Sequence, residues 1–597
     1  MGFTQAVLCM ESGNSPPSLL RRGYNFQPMI RQQLAEWVAH AAHAACEAGD
    51  LAFDALPEFE IETPRNPQFG DYAANLAMLL AKQARRNPRE VAEAIRQRMP
   101  EDAFAWVERV EIAGAGFLNF YLKPDWAGAV VRHILQRGMG YGTLTLGAGK
   151  RVQIEFVSAN PTGPLTLGHG RNAAVGDTLA RLYAAAGYAV EREFYINDGE
   201  NSTQIRNFAL SVLTRYRQLL GEPAEMPEDG YHGEYVKEIA QGIRDQYGDS
   251  FAQGDPETVL KRFEGIAKQQ MLEEQARDLS DFGVRFDRWF SEQSLYDSGA
   301  VQATLEMLRA RGYAYEHEGA LWLKSTAFGD EKDRVLVRAN GMPTYLAADV
   351  AYHRDKFERG YDLMIDLWGA DHHGYVARMK AAMAALGYDP NRLHILIYQL
   401  VNLFRGAEPV RMSKRAGEFI TLREVMDEIG TDALRFFYLL RSHDSTLDID
   451  LELAQEQSEK NPVYYVQYAH ARICSIERTA AERGVAMPDP ETTDLSVLTH
   501  PAEIALVKQL ADLPDEIALA VRHDAPHRLT AYALEAARAF HGFYTECRVL
   551  GAEPALQAAR LLLTQATRLT LARTLGLLGI SAPERMERAE ETDSPSP

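Results

Sequence analysis

Residues 151–177, RVQIEFVSANPTGPLTLGHGRNAAVGD, change character twice within one short stretch, and that change restricts the fold more than any other part of the chain. Val152, Ile154, Phe156 and Val157 are β-branched or aromatic and predict a strand, whereas Asn160, Pro161, Gly163 and Pro164 are turn formers that cannot continue one inside a sheet. Beyond the turn, Gly168, His169 and Gly170 open a segment in which Ala173, Ala174, Leu179, Leu182, Tyr183 and Ala186 recur at helical spacing. A helix that starts directly after a strand leaves its first N–H groups unpaired, with partial positive charge above the strand end, which suits phosphate. A nucleotide site is the first expectation. Strand-turn-helix units with glycines serve many α/β proteins, so the pattern alone does not specify the reaction.

The full string is more specific. NPTGPLTLGH, from Asn160 to His169, resembles the His-Ile-Gly-His signature of class I aminoacyl-tRNA synthetases, and EFVSAN, from Glu155 to Asn160, is similar to the bacterial arginyl-tRNA synthetase family of that class. Thr166 stands where the signature has its first histidine. The resemblance implies an α/β fold: a doubly wound, Rossmann-like parallel-sheet catalytic domain with a small α+β N-terminal domain and an all-α C-terminal domain. It also implies that Thr166, Gly168 and His169 meet ATP, with His169 catalytic.

At 597 residues the chain has room for about three or four domains. No run approaches the roughly 18 apolar residues of a membrane span, and the start MGFTQAVLCMESGNSPPSLLRR lacks a charged segment followed by an apolar core. A cytoplasmic location and no membrane partner are expected. Cys9, Cys46, Cys474 and Cys547 are scattered without Cys-x-x-Cys spacing, so no structural metal and no disulfide framework are predicted. The net charge of -20 argues against a nonspecific nucleic-acid coat but leaves room for a localised RNA surface. Acids crowd residues 221–260, whereas residues 536–580 carry Arg538, Arg548, Arg560, Arg568 and Arg573. An RNA is therefore expected to touch the second region and avoid the first.

Residues 1–28 mix Ser, Pro and Gly without a period and read as an N-terminal extension. Residues 29–125 read as a small α+β domain with an Ala-rich helix from Met29 to Gly49, a short strand ended by Pro64 and a second helix running to Ala84. A strand from Ala115 to Leu122 puts Phe117, Asn119 and Tyr121 on one face. Such groups can stack on and hydrogen-bond to an unpaired base, although the pattern alone favours a core-facing aromatic. The strings GDYA and GFLNF resemble the additional N-terminal domain of arginyl-tRNA synthetases, which implies that Phe117 and Asn119 read the D-loop of tRNA.

The catalytic domain is expected over 146–423, with a helical insertion at about 200–330 between two halves of the sheet. The apolar runs from Tyr361 to Trp368 and from Leu393 to Leu400 suit buried parallel strands, with binding residues at their C-terminal ends. Tyr345 and Asp349 share one helical face. Spacing alone favours an incidental pair, but the family's Tyr-x-x-x-Asp helix implies that they hold the arginine side chain, whose planar guanidinium suits an aromatic wall and a carboxylate. The same resemblance implies Glu155, Ser158, Asn160 and Gln399 around the amino acid.

Two loops complete the site. In WGADHHG, from Trp368 to Gly374, Asp371, His372 and His373 suggest a metal, yet adjacent histidines on one loop rarely converge on one ion. The string resembles the class I ribose loop, which implies close approach at Gly369 and a hydroxyl accepted by Asp371. VRMSKRAG, from Val410 to Gly417, is by itself a basic surface loop. It resembles the Lys-Met-Ser-Lys-Ser signature, which implies that Met412 and Lys414 meet ATP and that Lys414 is catalytic as charge develops on pyrophosphate. Arg411 and Arg415 replace the first lysine and the last serine of that signature.

A connecting region at 424–454, with the string DALR at Asp432 to Arg435, leads to a helical domain at 455–597. There Leu529, Tyr532, Ala533, Ala536, Ala537 and Phe540 trace one buried stripe. NPVYYVQYAHAR, from Asn461 to Arg472, and LGISAPERM, from Leu578 to Met586, resemble the family's anticodon-binding domain. Over residues 29 to 586 the resemblance implies arginine-tRNA ligation. L-arginine and ATP, carried with Mg²⁺, give arginyl-adenylate, and the arginyl group passes to the terminal adenosine of tRNA for arginine. A monomer is expected. Two rivals are a related nucleotidyltransferase, which would not need the C-terminal helices, and an inactive RNA-binding paralogue, which the retained His169 and Lys414 disfavour.

Overall fold

The computed structural model describes residues 30–64, 66–199, 202–410 and 420–586. The expected extension 1–28 and the basic loop with Met412 and Lys414 lie outside the described residues. The first unit begins with the helix Ile30–Glu47. It continues through β1 (Ile61–Glu62), β2 (Tyr72–Ala74), β3 (Val107–Ala113) and β4 (Phe117–Leu122), paired in the order β1-β2-β4-β3, with every pair antiparallel. Strand alternation buries Leu118 and Phe120 against Leu34, Val38, Leu76 and Ile95. Phe117 and Tyr121 emerge half-exposed on the opposite face, but Asn119 between them is only 3% exposed, flanked by Ala73 and Glu111 in register.

The large sheet uses β5 (Arg151–Glu155), β6 (Ala189–Ile196) and β7 (Arg288–Ser291). A separate antiparallel sheet of β8 (Ala314–His317), β9 (Ala320–Leu323) and β10 (Arg334–Val337) intervenes before β11 (Leu363–Gly369) and β12 (Leu393–Tyr398) return to the large sheet. All pairings in the large sheet are parallel, in the order β12-β11-β5-β6-β7. The chain winds outward from β5 to β7, then restarts on the other side at β11. That reversal opens a crevice above the C-terminal ends of β5 and β11, the place where ligands bind in such sheets.

The insertion expected as helical over about 200–330 departs from that reading. Its helices Thr203–Leu219, Glu234–Tyr247 and Pro256–Asp281 bury their own apolar cluster around Phe208, Tyr216 and Phe263, and two more helices, Gln293–Asp297 and Ala300–Ala310, follow after a strand. Arg288–Ser291 is a strand of the main sheet, and residues 314–337 form the antiparallel sheet. The local reason is a two-residue turn at Glu318 and Gly319, both at positive φ, 50° and 74°, which matches the twist of a hairpin and fixes His317 opposite Ala320.

After β12, β13 (Val401–Arg405) pairs with β14 (Glu408–Pro409) and, in parallel, with β15 (Leu447–Asp450). The region 424–454 is thus hydrogen-bonded back to residues before 423. The C-terminal helices Pro462–Glu482, Pro501–Ala511, Leu513–Arg522, His527–Glu546 and Pro554–Leu578 bury the predicted stripe, with Leu529, Ala533, Ala536, Ala537 and Phe540 at 0% exposure. Of the five arginines expected to face RNA, Arg538 and Arg548 are exposed, while the other three engage internal partners. Arg560 pairs with Glu503, Arg568 with Glu477, and Arg573 donates to the Tyr141 carbonyl. Buried and half-buried helix faces demand internal partners for their charges, which a charge count along the sequence does not reveal. The first unit docks on these helices through Arg31, whose Nε and Nη2 donate to the two oxygens of Asp512 at 3.0 and 2.7 Å.

Candidate active site

The turn after β5 carries the strongest local constraint in the crevice. Val157 and Ser158 lie at φ 67° and 41°, a left-handed pair of non-glycine residues, one of them β-branched. Such backbone costs free energy and persists only where its surroundings hold it. Here Asn172 Oδ1 accepts from the Val157 N–H at 2.9 Å, and Asn172 Nδ2 donates to the Leu367 carbonyl at 3.1 Å, tying the turn to β11. The Ser158 hydroxyl donates to Glu155 Oε1 at 2.9 Å and accepts from the Tyr195 N–H at 3.1 Å. Asn160 is exposed, and its side-chain oxygen accepts from Asn197 at 3.1 Å. Gln275, 0% exposed on the helix Pro256–Asp281, donates to the carbonyls of Asn160 and Gly163. The insertion is therefore more than a solvated surface, because it holds the turn.

Thr166 is the N-cap of the helix Leu167–Ala185, and its backbone N–H donates to His169 Nδ1 at 3.1 Å. A ring nitrogen that accepts carries no proton, so Nε2 holds the hydrogen and is left as a donor. Burial pushes the His169 pKa down to about 4, which keeps this neutral form at physiological pH. A Cβ on Gly170 would come within 2.7 Å of both Leu422 and the Tyr438 hydroxyl, so glycine permits the crossing there. Leu422 N donates to the Leu165 carbonyl at 2.8 Å, and Thr421 bridges Thr166. The chain that leaves the basic loop thus returns directly to the signature turn. Arg171, 0% exposed, donates to the carbonyls of Gln399, Ser442 and Ser445 and fixes the end of β12 against this helix.

A pocket of negative charge sits across the crevice. Tyr345 opens the helix Tyr345–Glu358 and is 67% exposed, whereas Asp349 is half-buried and accepts from the Tyr375 hydroxyl at 2.6 Å. Burial raises the Asp349 pKa against the opposing pull of Tyr375 and His353. Glu292, which follows β7 and is 5% exposed, is pushed up to about 7 by burial and then by the Asp349 charge. No salt bridge neutralises Glu292 or Asp349 among the described residues. Nearby Asp198 differs, since Lys268 pairs with it at 2.9 Å. Two desolvated, mutually repelling carboxylates are unfavourable unless a cation arrives. Sequence reading finds Asp349 and misses Glu292, because nothing around Glu292 repeats or clusters.

The remaining predicted residues divide. Glu155, 7% exposed, is occupied by Lys356 at 2.5 Å and by Ser158. Gln399 follows β12 half-buried, its N–H on the His443 carbonyl. Gly369 ends β11, and a Cβ there would meet Asp371 Oδ1 at 2.6 Å, so the glycine lets the exposed Asp371 carboxylate fold back over the strand end. Gly168 lies in the first turn of the signature helix, where a Cβ would meet only the Thr166 hydroxyl, at 3.9 Å. Among the described residues, no group of three or more His, Cys, Asp or Glu could hold a metal ion.

On the C-terminal helices, Tyr464 and Tyr468 stack at 5.8 Å and 12°, Tyr468 faces His541, and the Arg472 guanidinium lies over both Tyr468 and Tyr544. Tyr464 is buried, Tyr468 and His541 are half-buried and Tyr544 is exposed, and aromatic rings beside an arginine are groups on which unpaired bases can stack. NPVYYVQYAHAR holds most of this set, but its pairing with His541 and Tyr544 arises only when two helices meet.

The chain matches three family models in succession: the arginyl tRNA synthetase N terminal domain over residues 30–122, the tRNA synthetases class I (R) catalytic domain over 130–450, and the DALR anticodon binding domain over 466–586. It is 51% identical over 566 residues to an arginine--tRNA ligase of Heliobacterium modesticaldum, covering 94% of this chain and 100% of that relative. A second such ligase, from Carboxydothermus hydrogenoformans, is 52% identical over 558 residues, with the same coverage. The solved Thermus thermophilus arginyl-tRNA synthetase superposes with a TM-score of 0.74 at 25% identity, over 94% of this chain and 100% of that one.

Proposed function

Since the chain belongs to the arginyl-tRNA synthetase family of class I, we propose that it is an ATP-dependent ligase that joins L-arginine to tRNA through arginyl-adenylate, with its chemistry in the crevice above β5 and β11. The observation that supports this best is the unneutralised pair Glu292 and Asp349, since a guanidinium supplies the cation that both carboxylates lack and offers several donors in one plane. Tyr345, exposed at the start of the same helix, would close over the guanidinium as an aromatic wall.

At the other end of the substrate, Ser158, Asn160 and Gln399 would orient the α-amino and carboxylate groups, with Glu155 behind them. The carboxylate would attack the α-phosphorus of ATP while pyrophosphate leaves. His169 Nε2–H, the N–H groups around Gly168 at the helix start, Thr166, Met412 and Lys414 would cradle the phosphates, and Lys414 would meet the charge that grows on pyrophosphate. Asp371 beside Gly369 would accept a ribose hydroxyl. Mg²⁺ enters as the partner of ATP. The terminal adenosine of tRNA then takes the arginyl group, with no covalent enzyme intermediate. Binding by positioning, rather than acid-base chemistry, carries such a reaction.

Phe117, with Asn119 beneath it, and the Tyr468–Arg472–Tyr544 platform would contact unpaired bases of tRNA at two separate places. Among the described residues no helix is long and apolar enough to cross a membrane, and a cytoplasmic monomer is the proposed state. An arginylation assay with tRNA, arginine and ATP omitted in turn tests the reaction: charging must require all three. Asp349→Asn tests the pocket, with arginine use falling far more than ATP use. Equal losses for both substrates would reject the assignment of Asp349.

A further inference from the structure

A row of acids crosses the large sheet at one level. Asp366 on β11 is in register with Glu155 on β5, and Glu155 with Glu193 on β6, all buried at 0%, 7% and 0% exposure. Like charges on adjacent strands repel, and buried ones need direct partners. The helix Tyr345–Glu358 and its end supply them. Lys356, 0% exposed, reaches Glu155 Oε2 at 2.5 Å and Asp366 Oδ1 at 2.7 Å. Arg359 takes both oxygens of Glu193, which also accepts from Tyr352 at 2.6 Å and has Arg288 on β7 at 3.8 Å. His353 places one ring nitrogen 2.7 Å from the Asp349 carbonyl and the other 2.8 Å from Asp366 Oδ2. Both partners are acceptors, so whichever ring nitrogen holds a proton has a partner in place.

We propose that Lys356 is a positioning residue for arginine, fixing the helix that carries Tyr345 and Asp349 against the strained turn that carries Ser158 and Asn160. The path is short. Lys356 lies two turns beyond Asp349 on the same helix face, its ammonium holds Glu155, and Glu155 holds the Ser158 hydroxyl. The two ends of the amino-acid pocket belong to different elements, and among the described residues Lys356 forms the ion pair that reaches Glu155. Burial opposes the Lys356 charge, but Asp366, Glu155 and Glu193 outweigh it and hold its pKa above the usual lysine value. Glu155 is raised by burial even with Lys356 beside it. Without Lys356, the acids facing that space retain only His353 and Arg359 from the helix and Arg288 from β7, and Glu155, already raised by burial, would lose the cation that opposes that rise and hold its proton to higher pH.

This inference rests on the reading of Asp349 as the guanidinium acceptor, and the experiment separates the two. Steady-state arginylation by the full-length protein is measured from pH 6 to 8.5 for the parent, Lys356→Met, Lys356→Met/Asp366→Asn and Asp349→Asn. Lys356→Met should raise the KM for arginine at least tenfold, leave the KM for ATP within twofold, and make arginine use worsen as pH rises, because protons then do what the ammonium did. The double variant restores the charge balance without restoring the tie. Its KM for arginine should stay raised at least threefold but lose the added pH dependence, and this holds as the deciding result if Lys356→Met alone does not fold. A folded double variant with the parent's KM for arginine, or equal losses for arginine and ATP, overturns the role of Lys356. An Asp349→Asn variant with unchanged arginine use overturns the underlying reading instead.

Discussion

Arg435 Nη2 donates to Asp177 Oδ2 at 2.7 Å, joining the DALR string to the middle of the signature helix, and both side chains are buried, at 0% and 2% exposure. The guanidinium also donates to the carbonyls of Leu578 at the end of the last helix and Phe282 after the insertion. Three parts of the chain therefore meet on one side chain. At the other end of the string, Asp432 accepts from the Ser581 N–H and from Gln467. The four-residue string works as a clasp between the catalytic sheet and the C-terminal helices.

Removing one partner of a buried pair strands the other charge, at a cost of about 3 to 5 kcal/mol. Asp177→Ala should accordingly lower the urea midpoint of the full-length protein strongly. Arg181 and Arg192, which also face Asp177, cannot compensate because they depend on the same carboxylate. A midpoint close to that of the parent would show that the clasp contributes little.

Glu292 should set how arginine use depends on pH. Its carboxyl is raised from 4.5 to about 7, so the ligand-free protein holds a proton there at pH 6 that must leave before a guanidinium can pair. The KM for arginine should rise as pH falls from 8 to 6, by at most about tenfold per unit for one proton. Glu292→Gln should raise it about 10-fold to 150-fold at pH 8, the equivalent of 1.5 to 3 kcal/mol for a charge-assisted bond, and flatten the profile. The sign for folding is opposite. A carboxyl with a raised native pKa stabilises the fold below 4.5 and loses that contribution as pH rises through 7. Thermal melts without arginine check this, since the Glu292→Gln melt should fall less between pH 5 and 8.

Thr166 contacts His169 Nδ1 through its backbone N–H at 3.1 Å and its hydroxyl at 3.2 Å, and the backbone contact, which any residue but proline supplies, survives replacement by alanine. Thr166→Ala should therefore slow adenylate formation by only about 2-fold to 12-fold, the range of a neutral hydrogen bond. His169→Ala removes the Nε2 donor and should slow it about 10-fold to 150-fold. Pre-steady-state adenylate formation in the presence of tRNA gives both numbers, and a larger loss for Thr166→Ala would reverse the assigned roles.

Tyr468→Ala breaks the platform formed with Tyr464, His541 and Arg472. Base stacking is worth ~1 to 3 kcal/mol, so the KM for tRNA should rise about 5-fold to 150-fold with the KM values for arginine and ATP unchanged. Arg560→Ala should instead lower stability, because Arg560 neutralises buried Glu503. A tRNA effect from Arg560→Ala without destabilisation would return the RNA surface to the basic residues that charge patterning suggests.

Local order was readable wherever one short-range pattern decides it. The strand, turn and helix from Arg151 to Ala185 follow from β-branched residues, Pro and Gly in sequence, and the core stripe from Leu529 to Phe540 follows from helical period. The strand β7 between the helices Pro256–Asp281 and Gln293–Asp297 was not readable in that way. β7 is a four-residue strand that owes its existence to pairing with β6, a contact across more than ninety residues of chain.

The sequence by itself determined the strand, turn and helix of the signature, the family strings and the residues those strings contain. Only the tertiary structure decided that Glu292 feels the charge of Asp349 with no salt bridge to either among the described residues, that Lys356 rather than solvent neutralises Glu155, and that Arg560 turns inward to Glu503. The reason is physical. A side chain's charge and type are local properties, whereas its desolvation and its partner depend on which distant strands and helices pack around it.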